Sequence, residues 1–133
     1  MGFKEVNHTA DLAFEVWGRN EEELLNSTIE LLKVLFGIKS LERETVKHEI
    51  FNYEFIEDLI FEAVNEFIYL FEKHDLFPKK LKFDSKHKKL EVEFSKVVEK
   101  SEDEFTELKA LTYHRLKINR SEGVLRTYLI FDV

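Results

Sequence analysis

Between Asn20 and Gly37 the apolar residues return every three to four positions. Leu24, Leu25, Thr28, Leu31, Leu32, Leu35 and Phe36 fall on one face, which is the period of a helix with one buried side. Asn20 stands where an N-cap is needed, Glu21, Glu22 and Glu23 complement the positive helix end, and Gly37 supplies the stop. A second helical period runs from about Phe55 to His74. Its apolar positions, from Ile56 and Leu59 through Val64 to Leu70 and Phe71, form a face broad enough to pack on a sheet and partly on the other helix. Pro78 lies beyond its expected end.

The rest of the chain alternates with the period of half-buried strands. Leu90-Glu91-Val92-Glu93-Phe94 is the clearest case, paired across the 84–88 turn with Leu81 and Phe83. Val46 to Tyr53 alternates less cleanly, and Ala13 to Trp17 is short and mostly apolar. A last pair, Ala110 to Ile118 and Val124 to Phe131, is joined by Asn119-Arg120-Ser121-Glu122-Gly123, read as a hairpin turn. Glu99 to Glu104 reads as a solvated loop. The expected order is β-α-β-α-β-β-β-β: an α+β single domain over 1–133, with two helices on one face of a mainly antiparallel sheet.

Composition narrows the function classes. With 133 residues, 44% of them hydrophobic and thirteen of them Phe, the chain can build a real core. A formal charge of −7 argues against a broad phosphate-binding face. The absence of cysteine removes disulfides, thiol nucleophiles and sulfur-ligated zinc. Charges interrupt every apolar run, and the start lacks a signal-peptide core, so a cytoplasmic protein without a membrane span is expected. The four glycines are dispersed, which leaves no Gly-rich phosphate loop, and neither a nucleophilic triad nor a metalloprotease or calcium-loop pattern occurs.

The remaining chemistry sits at the two ends. His8-Thr9-Ala10-Asp11 follows the N-terminus, and Phe131-Asp132-Val133 sets a carboxylate beside the chain's own α-carboxylate. Alone, Asp11 reads as a turn former and His8 as a turn histidine, a ligand or a residue orienting Asp11. If the last strand lies beside the first strand segment, the gathered carboxylates must share a proton or bind a cation. Oxygen-only donors favour Ca²⁺ or Mg²⁺ over zinc, and an irregular chain end favours Ca²⁺. In Lys109-Ala110-Leu111-Thr112-Tyr113-His114, strand alternation sets Ala110, Thr112 and His114 on one face, either an ordinary exposed face or a site.

Taken in order, His8-Thr9-Ala10-Asp11, Trp17-Gly18, the Lys109–His114 segment and Phe131-Asp132-Val133 resemble the archease family. The 57–70 segment, with Asn65-Glu66-Phe67, also resembles that family's second helix, and the likeness extends from Phe3 to Val133. Ala63-Val64 stands near the place of a Trp common in the family, and Lys100-Ser101-Glu102-Asp103 replaces a usual Gly-Glu. The resemblance implies a protein cofactor of the RNA-splicing ligase, promoting its guanylylation and multiple turnover, with RNA touched only indirectly. It also implies a metal ion held by Asp11, Asp132 and the main-chain carboxylate of Val133, with His8, Lys109 and His114 in supporting roles. Two further readings stay open: a chaperone-like module for an RNA-modifying methyltransferase, and a metal-dependent hydrolase that uses the same carboxylates. Oligomeric state is not legible in the sequence.

Overall fold

The structure is a computed structural model that describes residues 1–6, 11–103 and 105–133. Its elements follow one another as β1 (Gly2–Val6), β2 (Leu12–Gly18), α1 (Glu21–Leu35), β3 (Ile38–Leu41), β4 (Lys47–Asn52), α2 (Ile56–His74), β5 (Leu76–Asp84), β6 (Lys89–Lys100), β7 (Ala110–Leu111), β8 (Asn119–Ser121) and β9 (Val124–Asp132). Every strand pairing is antiparallel. The α+β class expected from the sequence is therefore present, but the strands divide into two sheets rather than one.

In the first sheet β2 lies between β1 and β9, while β7 and β8 share the far edge of β9. The second is built on β6, with β5 along one edge and β4 and β3 in succession along the other. Each helix touches strands of both sheets, α1 through β2 and β3, α2 through β5 and β7. Two separate sheets follow from the two helices: each must bury a wide apolar face, and each finds a sheet on either flank.

Local signals explain the ends of these elements. The Asn20 side chain accepts a hydrogen bond from Glu23 N–H at 2.8 Å, the N-cap the sequence announces. Helix α2 begins without a side-chain cap at Phe55 and ends at Asp75, whose left-handed backbone terminates it. The expected 81–94 hairpin is present in register, Leu81 opposite Val92 and Phe83 opposite Leu90, with both strands longer than read.

The final hairpin is redrawn. Glu122 and Gly123 both take positive φ, 52° and 74°, so the turn is two residues long and Asn119–Ser121 belong to strand β8. Such a turn follows the twist of its strands, and the pairing therefore runs up to it. Ala110 to Ile118 is likewise not one strand. Pairing stops after Leu111, and the chain turns around Tyr113–Leu116, where the Leu116 N–H reaches the Tyr113 carbonyl. Of the acidic stretch, Glu99 lies in β6, Glu102 and Asp103 in an exposed bend, and Glu104 outside the described residues.

Aromatic rings join the layers. Phe36 at the end of α1 stacks on Phe71 of α2 at 4.2 Å between centroids, and Phe67 meets Phe51 and Phe94 edge-on. Phe14 and Phe131 pack at 6.3 Å between β2 and β9. Each such ring, fully buried, contributes about 1.5–3 kcal/mol relative to exposure.

Candidate functional site

Strand β9 is central to its sheet and ends at Asp132, with β2 along one side and β7 along the other. On one side the register runs Gly18↔Leu125 through Leu12↔Phe131. Asp11 and Asp132 are the residues next beyond that last pair, Asp11 in a bend before β2 and Asp132 at the end of β9. Phe131 packs in the core, so alternation along β9 turns the Asp132 side chain to the other face. Asp11 is half-buried, and Asp132 and Val133 are exposed.

On the other side stands β7. Ala110 pairs with Asp132 and Leu111 with Phe131. The Lys109 N–H donates to the Asp132 carbonyl at 2.9 Å, and the Thr112 N–H to the Ile130 carbonyl at 2.9 Å. The last strand residue is thereby fixed along the β7 edge, and Val133 follows it. Lys109 and His114 are exposed near this end, with the His114 N–H donating to Thr112 Oγ1 at 3.3 Å. His8 lies outside the described residues.

The structure joins the backbone of Lys109 to Asp132, and it pairs Leu12, which follows Asp11, with Phe131, which precedes Asp132. Among the described residues, no group of three or more His, Cys, Asp or Glu side chains gathers closely enough to hold a metal ion. The expected donor set does not need one, since its third member is a main-chain carboxylate. In kind, the carboxylates of Asp11 and Asp132 are the hard oxygen donors that Ca²⁺ or Mg²⁺ takes.

The sequence reading missed what positions β7. Asn65, in the middle of α2, donates from Nδ2 to the Leu111 carbonyl at 3.2 Å, and the Leu111 N–H donates to its Oδ1 at 2.8 Å. One turn and two turns earlier, Phe61 stacks on Tyr113 at 4.2 Å, Asp58 accepts from the Tyr113 hydroxyl, and Glu57 accepts from the Ile118 N–H at 3.3 Å. Loss of water around the phenol, then the bond to Asp58, pushes the Tyr113 pKa up to about 12. The signal for this strap was a half-buried Asn within a helix, where Asn is a poor helix former and needs a reason to be present.

The Trp17-Gly18 pair also has a physical role. Ser27 Oγ donates to the Trp17 carbonyl at 2.8 Å, and a Cβ on Gly18 would lie 2.6 Å from the Leu24 backbone nitrogen. The end of β2 therefore presses directly on the first turns of α1, and only glycine leaves room for it.

A small α+β protein with two antiparallel sheets, and with the ends of its first and last long strands paired, is the class these observations define. Residues 3–133 match the model of the Archease protein family, and the chain belongs to that family. It is 39% identical over 129 residues to Protein archease of Thermotoga maritima, covering 97% of this chain and 98% of the relative. It is 32% identical to Protein archease of Methanopyrus kandleri, covering 92% and 93%. A Thermotoga maritima crystal structure described as an archease, possible chaperone, superposes with a TM-score of 0.79 at 38% identity, covering 98% of this chain and 96% of that one. A solution structure of a Methanobacterium thermoautotrophicum protein shares the fold, with a TM-score of 0.73 at 24% identity and 99% coverage of both chains.

Proposed function

We propose that this archease is a protein cofactor of an RNA-splicing ligase in the cytoplasm, promoting the ligase's guanylylation and multiple turnover without joining RNA itself. The observation that supports the reading is the pairing of Leu12 with Phe131, which leaves Asp11 and Asp132 as the next residues at one end of the first sheet, in a chain of this family. Among the described residues no helix is long and apolar enough to cross a membrane.

Asp11, Asp132 and the Val133 carboxylate would hold a divalent cation, Ca²⁺ before Mg²⁺, which when bound supplies the positive charge that lets three anions share one end of the sheet. The chain's residues do the positioning. Lys109 holds the Asp132 carbonyl through its N–H, β2 holds the other edge through the Leu12–Phe131 pair, and Asn65 fixes β7 against α2. The resulting tip is acidic, with Asp132 and Val133 exposed and Asp11 half-buried. A net charge of −7 favours fast encounter with a basic, RNA-binding partner.

The test is a ligase assay with and without the protein, run under single-turnover and multiple-turnover conditions. Wild type should raise ligase guanylylation and allow repeated turnover, and Asp11→Ala or Asp132→Ala should remove most of that gain. Unchanged stimulation by both variants would refute the role of the tip. The description of the Thermotoga relative as a possible chaperone favours one second reading, a chaperone-like module for an RNA-modifying methyltransferase. That reading requires methyltransferase stability or specificity to change with metal dispensable. RNA or nucleotide turnover by the isolated protein would instead point to a metal-dependent hydrolase.

A further inference from the structure

A second surface lies beyond the tip, where the C-terminal turn of α1, the outer part of α2 and the chain entering β7 converge. Phe36, Ile68, Phe71, Phe105 and Leu108 line a recess of about 240 Å³. Phe105 is 49% exposed although its ring stands only 6.1 Å from that of Phe71. Its segment is nonetheless fixed, because the adjacent Thr106 N–H donates to the Leu35 carbonyl at 2.7 Å. An apolar cavity of about 150 Å³ admits a benzene ring, so this recess has room for one large side chain.

Acidic side chains outnumber basic ones around the recess. Glu72 and Glu107 border the recess, and Glu102 and Asp103 are exposed shortly before it. Two cations stand nearby. Lys73 lies 4.0 Å from Glu72, and Lys100 is bound to Asp75 at 3.1 Å while resting over the Phe71 ring. The acids remain in excess. A second copy of this chain, itself strongly acidic, is therefore a poor occupant, and a basic one is favoured by complementarity.

We propose that this recess is a docking site for a single Phe-, Leu- or Met-type side chain presented by a basic segment of a partner protein. The apolar anchor would fill the space between Phe36, Ile68 and Phe71, closing Phe105 from water, while flanking Lys or Arg residues meet Glu72 and Glu107. Such a pairing of a buried anchor with a charged rim is how small interfaces concentrate their energy. The inference stands on the recess itself and holds whichever protein the tip activates. Leu108 is followed directly by Lys109, whose N–H holds Asp132, so a partner seated here also lies next to the tip.

The test uses the full-length chain, isotopically labelled, titrated with a short Lys- and Arg-rich peptide carrying one central Phe. Two control peptides replace the Phe by Ser, or every Lys and Arg by Glu. Amide shifts are expected at Ile68, Phe71 and Leu108 with the first peptide, with affinity about tenfold or more weaker for either control. Phe105→Asp should weaken binding to a similar degree, and the spectrum reports whether that variant is folded. Phe105→Ser serves if it is not. The double variant Glu72→Lys, Glu107→Lys should reverse the preference toward the acidic peptide. Absence of shifts at the recess with millimolar peptide, equal binding of the acidic peptide, or an unreversed preference in the double variant would each overturn the proposal.

Discussion

Asn65 and Leu111 meet as two residues of neighbouring strands would. The side-chain amide of Asn65 accepts from the Leu111 N–H at 2.8 Å and donates to the Leu111 carbonyl at 3.2 Å. A helix thus supplies the hydrogen bonding that an edge strand of two residues cannot find on its outer side. Because β7 borders Asp132, this pair links the middle of α2 to the end of the sheet that carries the carboxylates.

Replacing Asn65 by Asp tests the link with almost no change in shape. The acceptor for the Leu111 N–H survives, but the donor becomes an oxygen facing the carbonyls of Phe61 and Leu111, both of which Nδ2 now satisfies. The expected cost is about 1–3 kcal/mol. Hydrogen exchange of the amides of residues 109–112 should speed up more than that of the β5–β6 hairpin. Uniform acceleration would mean that Asn65 supports the fold in general rather than β7 in particular.

What the sequence disclosed and what it withheld divide along local and non-local lines. Both helices, the Asn20 cap and the 81–94 hairpin were legible because period and turn chemistry act within a few residues. The adjacency of the first and last long strands was legible only as a condition, since no local rule pairs residues at opposite ends of a chain; the pairing of β2 with β9 through Leu12 and Phe131 meets that condition. Two sheets in place of one were not legible, because a strand's alternation shows that one face is buried and not against what. The break in the expected strand from Ala110 to Ile118 has the same origin. Tyr113 is drawn out of strand pairing by Phe61 and Asp58, partners more than fifty positions away in the chain.

Gly18 should resist substitution for a reason unrelated to backbone torsion. A methyl group there would meet the Leu24 nitrogen at 2.6 Å and the Glu23 carbonyl carbon at 2.8 Å, both backbone atoms of α1 that cannot swing aside. Gly18→Ala is expected to destabilise by about 1–3 kcal/mol, the range for overpacking. The readout is the urea midpoint at unchanged slope, and a midpoint within error of wild type would show that α1 shifts freely against β2.

Thr127 offers the opposite result. It is fully buried on the core side of β9, and among the described residues its Oγ1 has no hydrogen-bond partner. Valine has nearly the same shape and nothing to satisfy, so Thr127→Val should stabilise the protein by about 1 kcal/mol. In calorimetry that is a rise of a few degrees in Tm. A fall would mean that the hydroxyl is bonded in solution.

Glu66 is expected to make stability depend on pH. Burial, followed by the hydrogen bond and repulsion from Glu49, raises its pKa above the ordinary 4.5, and Lys47 offsets this only in part. A raised acid binds its proton more tightly folded than unfolded. Its stabilising contribution is therefore complete below the unfolded value and is lost as pH rises through the folded one. Glu66→Gln keeps the hydrogen-bonding shape without the charge. It should raise Tm relative to wild type at pH 7.5 and leave it nearly unchanged at pH 4. An equal gain at both pH values would point to packing rather than titration.

The terminal carboxylate gives the sharpest prediction about the tip. The proposed cation site uses the Val133 carboxylate, Asp132 is held by the Lys109 N–H, and the preceding Phe131 is paired with Leu12 of β2. A short Gly-Ser extension after Val133 therefore converts one anionic donor into a neutral peptide carbonyl while leaving the paired strands in place. Calorimetric titration with Ca²⁺ should show binding by the wild type, weaker binding by the extended chain, and weaker binding again by Asp132→Asn. Thermal unfolding without metal should be alike for the wild type and the extended chain. Hard-cation sites are graded by the number of charged oxygens, so losing one of three carboxylates should cost affinity without abolishing the site. Equal affinity with the extension present would remove Val133 from the donor set and leave Asp11 and Asp132 as a pair that needs another third ligand.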